Sequence, residues 1–162
     1  MSHKHIHNSL PKVHSYKVWK IINDPELKSL LNSKININHD YEIPYIAGYS
    51  LDGKTVYIDK HFYPYGEKEG LIKYLLIHER TEKFILDKYH MDYQQAHHIA
   101  THMEEEYVKN DGLNWRDYAD KYIKWIKELN LETLMNVPKD LDLTPYKDEH
   151  DLNKIVGKIN EK

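Results

Sequence analysis

Residues 67–109 decide the fold class of this chain, and they read EKEGLIKYLLIHERTEKFILDKYHMDYQQAHHIATHMEEEYVK. Apolar residues recur every three or four positions in this stretch, which is typical of amphipathic helices. The pattern predicts one helix from about Glu67 to Tyr89 and a second from Asp92 or Tyr93 to Lys109. Because so few residues connect them, the two helices are expected to pack as antiparallel neighbours.

A β-hairpin is predicted before these helices. Ile43–Tyr49 and Lys54–Asp59 are rich in Tyr, Ile and Val, and Asp52-Gly53 lies between them. Asp-Gly between two such runs is a strong hairpin signal. Ile35–Asp40 alternates weakly and fits a further strand. The hairpin or small sheet, followed by helices, predicts an α+β fold.

The remaining segments complete a single domain over residues 16–162. A short helix is predicted within Tyr16–Leu31, where Asp24-Pro25 fits an N-cap and first helical residue. After the two main helices, Asn114 is expected to cap a third, which runs from Trp115 to about Asn130. Residues 1–15 are expected to form a flexible tail, and residues 138–151 an extended acidic arm, with a last short helix near Leu152.

Composition excludes several classes of protein. The 162 residues carry a net charge of −3 and no cysteine, so disulfides, thiol nucleophiles and zinc-finger ligand sets are excluded. No apolar run approaches the ~20 residues of a membrane span, and the balance of charge does not indicate a nucleic-acid partner. With no apolar secretory leader visible at Met1, we expect a cytoplasmic protein.

The first main helix carries His78-Glu79-Arg80-Thr81-Glu82. At 100° per residue, His78 and Glu82 lie in the middle of its apolar arc, with Glu79 at the margin. Lys73, Arg80, Lys83 and Asp87 fall on the opposite side. A buried imidazole and carboxylate one turn apart are costly unless they pair with each other, with other polar groups or with a metal.

The second main helix offers a matching polar patch. His97 and Glu104 border its buried side, whereas His98, His102 and Glu105 fall on the solvated face. In an antiparallel pair the two patches would face each other. Two ligand-type residues at i and i+4, with Glu directly after the first, follow the logic of the His-Glu-x-x-His metallopeptidase helix. Here Glu82 replaces the second His.

Several longer stretches resemble a family of uncharacterised phage and proteobacterial proteins, over about Tyr41 to Asp151. The resemblance is carried by IPYIAGYS at 43–50, KTVYID at 54–59, HERTEK at 78–83, YQQAHHIAT at 93–101 and DLDLTPY at 140–146. It implies a phage or prophage protein, in the host cytoplasm if phage-encoded. The family implies no particular activity.

A looser resemblance is to zincin-like metallopeptidases, in which a hairpin edge precedes the metal-binding helix. It implies one metal held by His78, Glu82 and either His97 or Glu104, with Glu79 as the general base that activates water. Zinc is the first expectation for this site. Iron and manganese also suit two His and one or two carboxylates, and the added carboxylate makes metal-bound water less acidic.

Three functions follow from these observations. The first is a metal-dependent hydrolase that acts on a protein or peptide. The second is a non-hydrolytic metalloprotein, such as a two-His carboxylate iron site. The third is a non-enzymatic phage or prophage module in which the His/Glu cluster is structural, with Tyr45, Tyr49 and Tyr57 of the hairpin available to a protein partner.

Overall fold

A computed structural model of the chain describes residues 15–129 and 136–148. Seven helices and three strands lie in these residues. In chain order they are α1 (Tyr16–Ile22), α2 (Pro25–Asn32), β1 (Asn36–Asn38), β2 (Ala47–Tyr49), β3 (Thr55–Ile58), α3 (Tyr63–Lys68), α4 (Ile72–Tyr89), α5 (Tyr93–Asn110), α6 (Trp115–Leu129) and α7 (Thr144–Asp148). The fold is α+β, as the sequence predicts.

The pair α4 and α5 forms the centre of the fold. The chain reverses at His90, which has a left-handed φ of 53°, and the Asp92 carboxylate caps α5 by accepting from the backbone N–H of Gln95. Side-chain contacts of His78 with Glu104 and of Glu82 with His97 show that the helices run antiparallel. The antiparallel prediction is therefore confirmed.

The helix predicted from Glu67 to Tyr89 is in fact divided. α3 ends at Lys68, and α4 begins only at Ile72. The break lies at Gly70, which has a φ of 71°, and the backbone N–H of Leu71 donates to the carbonyl of Gly66 at 2.8 Å. Glycine adopts this left-handed conformation without the steric cost that a side chain would add.

The sheet has the strand order β1-β3-β2. β2 and β3 form the predicted antiparallel hairpin, with Tyr49 opposite Val56, and β1 lies parallel to β3. The first hairpin strand is shorter than predicted. Tyr45 and Ile46 have φ values of 57° and 83°, and strand pairing requires negative φ, so β2 begins only at Ala47.

The acidic arm predicted at residues 138–151 is only partly extended. Residues 140–142 run along the free edge of β2: the N–H of Leu51 donates to the Asp140 carbonyl, and the N–H of Asp142 donates to the Tyr49 carbonyl. Helix α7 then begins at Thr144, whose N–H donates to the Asp142 carboxylate at 3.0 Å. The flexible tail was predicted at residues 1–15; Ser15 instead caps α1 by accepting from the N–H of Val18. The rest of that tail and the helix predicted near Leu152 lie outside the described residues.

The core lies between the sheet, α4 and the aromatic face of α6. Tyr118, Ala119, Tyr122 and Ile126 of α6 are all buried, and they recur at the three- to four-residue spacing of one helix face. Two caps predicted from sequence are confirmed: Asp24 caps α2, and Asn114 accepts from the N–H of Asp117 at the start of α6. None of the described helices is long and apolar enough to cross a membrane.

Candidate metal centre

Three potential ligands converge between α4 and α5. His78 and Glu82 lie one turn apart on α4, and His97 faces them from α5. Each offers a ligand atom, and these atoms all lie within 4.8 Å of one another. The three side chains are 0–1% exposed. The helical spacing of α4 and the antiparallel packing of α5 therefore build a buried His-Glu-His group.

The carboxylate of Glu82 lies at the centre of this group. Its Oε2 is 3.2 Å from Nε2 of His78 and 2.9 Å from Nδ1 of His97. Its Oε1 accepts a hydrogen bond of 2.6 Å from the Tyr49 hydroxyl on β2. The Tyr93 hydroxyl, one turn before His97, lies 3.3 Å from the same Nδ1. The hairpin thus contributes a hydroxyl that holds Glu82 in place.

Glu104 lies on the other side of His78 from Glu82. Its Oε1 is 2.9 Å from Nδ1 of His78, and its Oε2 accepts from the hydroxyls of Tyr118 and Tyr122 on α6. The structure thus brings Glu104 against His78 but leaves it outside the three-residue group. The hydrogen bond between Nδ1 of His78 and Glu104 orients the imidazole ring so that its Nε2 faces Glu82.

Glu79 is buried beside the group, with 2% of its surface exposed. Its Oε2 lies 3.9 Å from Nε2 of His78 and has no hydrogen-bond partner among the described residues. Glu79 and Tyr49 both line a cavity of about 430 Å³. Glu79 was predicted to lie at the margin of the apolar arc of this helix, and it is at this position that the His/Glu cluster borders the cavity.

Burial and hydrogen bonding drive the pKa values of the site apart. Burial opposes a charge on His78, but hydrogen bonds to Glu104 and Glu82 outweigh it and raise its pKa to about 10. Burial lowers the pKa of His97 to about 3 and raises that of Glu79. Burial also opposes the charge of Glu82, but its bonds to His78 and His97 hold its pKa below the usual range.

Carboxylates outnumber cations in this cluster. Glu79, Glu82 and Glu104 are buried around two imidazoles, and no lysine or arginine in the described part of the chain forms an ion pair with them. Buried charges are costly unless paired or bound to a metal. A divalent cation among the three ligands would offset the excess negative charge.

The face of α4 opposite His78 is only partly exposed: Lys73 and Asp87 near its ends are solvated, whereas Arg80 and Lys83 between them are covered. Arg80 and Lys83 are only 7% and 9% exposed. Arg80 donates to Ser33 after α2, and Lys83 donates to Asp142 at 2.8 Å. Segments distant in sequence cover this face, so the periodicity of α4 alone could not reveal its burial.

The helical pattern of α5 correctly predicted which of its histidines lies in the group, but it did not predict how exposed the others are. His98, His102 and Glu105 stay outside the group, but they are half-buried rather than fully solvated. Sequence reasoning missed the three tyrosines, Tyr49, Tyr118 and Tyr122, that hold the two site carboxylates. The four-residue spacing of Tyr118 and Tyr122 places them on one face of α6, but which carboxylate their hydroxyls reach depends on tertiary packing.

Comparison of the chain with models of protein families, with curated proteins and with solved structures finds no match. Two imidazoles and a carboxylate form a donor set that binds Zn²⁺ through three protein ligands and leaves a fourth position for water or substrate.

Proposed function

We propose that this protein is a metal-dependent hydrolase that acts on a peptide or protein, with one divalent transition metal held by His78, Glu82 and His97. The observation that carries the proposal is the convergence of these three ligand atoms within 4.8 Å in a buried site. The same donor set serves catalytic zinc in known hydrolases. Zinc is the metal we propose first, and iron or manganese would also accept these ligands.

Glu79 is proposed as the general base of the reaction. It follows His78 directly, lies within 3.9 Å of that ligand and keeps one buried carboxylate oxygen without a hydrogen-bond partner in the described chain. It also lines the cavity through which a substrate would approach. A carboxylate so placed would take a proton from an activated water and pass it to the leaving group.

Glu104 is proposed as a positioning residue rather than a fourth ligand. Metal-bound histidines generally donate their second ring nitrogen to a carboxylate, which fixes the tautomer and the ring. Glu104 meets Nδ1 of His78 at 2.9 Å and is itself held by two tyrosine hydroxyls. This contact would leave Nε2 of His78 free to bind the metal.

The order of elements supports a zincin-like core as part of the proposal. A β-hairpin precedes the helix that carries His78, Glu79 and Glu82, and β2 of that hairpin contacts Glu82 through Tyr49. The pairing of β2 with residues 140–142 covers the outer edge of the sheet. A peptide substrate would therefore approach through the cavity at Glu79.

A structural role for the cluster is the second candidate. It is favoured by the hydrogen bonds that both ring nitrogens of His78 already make, to Glu104 and to Glu82. In that case the cluster would orient α4 and α5 without a metal, and the protein would be a non-enzymatic phage or prophage module.

Glu79→Gln separates the two candidates, because it keeps the shape of the side chain and removes the base. We expect the variant to retain about one metal per chain while hydrolysis of a peptide and ester panel falls about 100-fold or more. Glu82→Gln is the matched control, and it should lose the metal as well as activity.

Two outcomes would contradict the proposal. If the parent protein cleaves no member of the panel, the structural role gains. If Glu79→Gln loses its metal as Glu82→Gln does, Glu79 is a ligand and its assignment as the base is wrong.

A further inference from the structure

A second cavity, of about 570 Å³, lies on the side of α4 away from the His/Glu cluster. Its walls are mainly apolar, and every charged residue that lines it is a cation: Lys34, Lys73 and Arg80. The apolar part of the wall is formed by Leu31, Ile35, Ile37, Leu76, Ile77 and Tyr107. This combination of surfaces favours a ligand with an anionic head and an apolar body.

Arg80 is the unusual member of the three cations. Only 7% of its surface is exposed, and its guanidinium donates two hydrogen bonds of 2.9 Å to the carbonyl and hydroxyl of Ser33. Neither acceptor carries a charge. Within residues 15–129 and 136–148, its Nε has no hydrogen-bond partner and no ion pair includes Arg80. The described part of the chain thus contains a buried guanidinium for which it supplies no counter-ion.

A buried arginine normally pairs with a carboxylate or phosphate, because desolvation of the cation is costly. A guanidinium has five N–H donors, and Ser33 accepts from two of those in Arg80. Three N–H groups remain, one of them on the buried Nε, and a carboxylate can accept two parallel hydrogen bonds from a guanidinium. By contrast, Lys73 already pairs with Asp111 at 2.8 Å. Arg80 is therefore the anchor that this cavity offers to an anion.

The size and walls of the cavity define the rest of the ligand. A volume of about 570 Å³ lies in the range of small-molecule sites rather than of protein interfaces. Leu76 and Ile77 lie one turn before Arg80 on α4, so an aliphatic chain attached to the anchored carboxylate would pack along them. The apolar side chains of the wall are aliphatic except that of Tyr107, and this composition favours an alkyl chain over an aromatic ring.

We propose that this cavity binds an aliphatic carboxylate, with its carboxylate on Arg80 and its alkyl chain against Leu76 and Ile77. Arg80 also lines the cavity at Glu79, but none of the three proposed metal ligands lines this second cavity. The proposal therefore holds whether or not the His/Glu cluster binds a metal. Such a ligand would stabilise the folded chain by binding only its folded state.

The test uses sodium octanoate and the full chain labelled with ¹⁵N. The sequence contains two arginines, Arg80 and Arg116, so NMR spectra should resolve two Nε–H resonances. We expect octanoate to shift the Arg80 resonance saturably, at one octanoate per chain, and to leave Arg116, which is exposed, unchanged. Octanamide, which has the same alkyl chain and no charge, should bind at least 10-fold more weakly.

Arg80→Gln, measured by calorimetry, should weaken octanoate binding about 10-fold or more. Because that variant removes a buried side chain, Lys34→Glu at the exposed rim of the cavity is a second test, and it should also weaken binding while the fold is retained. The proposal is overturned if octanoate produces no saturable shift, shifts both arginines alike, or binds no better than octanamide.

Discussion

Glu104→Gln tests whether this residue positions His78 or binds the metal itself. In the structure, Oε1 of Glu104 meets Nδ1 of His78 at 2.9 Å, and Oε2 accepts from the hydroxyls of Tyr118 and Tyr122. Glutamine has the same shape but a single acceptor oxygen. If that oxygen faces His78, both tyrosines lose their acceptor. If it faces the tyrosines, the amide donates to Nδ1, and Nε2 carries the ring proton, which it must lose before it can bind a metal.

The magnitude follows from the role of a carboxylate behind a metal-bound histidine. Loss of such a partner costs roughly 10- to 100-fold in metal affinity, which is about 1.4–2.7 kcal/mol. The loss of charge-assisted hydrogen bonds should also lower the free energy of unfolding of the metal-free protein, by about 1.5–3 kcal/mol. Both effects should leave a folded protein that still binds metal.

The assay is a competition titration of Zn²⁺ against a chelating indicator, with Glu104→Gln, Glu82→Gln and the parent protein side by side. We expect Glu104→Gln to bind one Zn²⁺ more weakly and Glu82→Gln to lose tight binding. If Glu104→Gln loses binding as completely as Glu82→Gln, Glu104 is a ligand, as the sequence allowed. If it binds Zn²⁺ as tightly as the parent, the contact with His78 has no role in the site.

Two further predictions concern stability. Asp24→Asn keeps the N-cap of α2 but loses the charge that binds Lys88 and Tyr89 at 2.8 and 2.6 Å. These partners hold the pKa of Asp24 at about 2, against 3.8 for the free group. Urea unfolding should therefore show that the parent is more stable than the variant at pH 7, and this difference should disappear as the pH falls from about 4 to 2. Gly66→Ala should lower the free energy of unfolding by about 1–3 kcal/mol, since its Cβ would lie 2.8 Å from Ile72; a variant as stable as the parent would contradict the tight packing of α3 on α4.

Helical periodicity pointed to the residues of the candidate site. It placed His78 and Glu82 on the buried arc of α4 and nominated His97 and Glu104 on α5; the structure groups His78, Glu82 and His97 and leaves Glu104 against the other nitrogen of His78. The reason is physical: a buried polar residue at helical spacing within an apolar face is costly unless it has partners, so its position alone indicates a cluster. The Asp-Gly turn predicted the hairpin on equally local grounds.

What the sequence missed depends on contacts between distant segments. Arg80 and Lys83 have the spacing of a solvated face, but Ser33 and Asp142 cover them. Helix α6 likewise determines where the Glu104 carboxylate lies relative to His78, because Tyr118 and Tyr122 of α6 donate to that carboxylate. Periodicity records which side of one helix is apolar, and it contains no information on which neighbour covers the other side.

The metal content of the full chain tests the central claim most directly. We would replace His3, His5 and His7 with Ala to remove N-terminal chelation, purify the protein without added metal and measure metal per chain by elemental analysis. The account predicts about one transition metal per chain, lost in His97→Ala and retained in His102→Ala, whose ring is 20% exposed and outside the group. A chain that holds no metal, or one that loses it equally in both variants, would contradict the account.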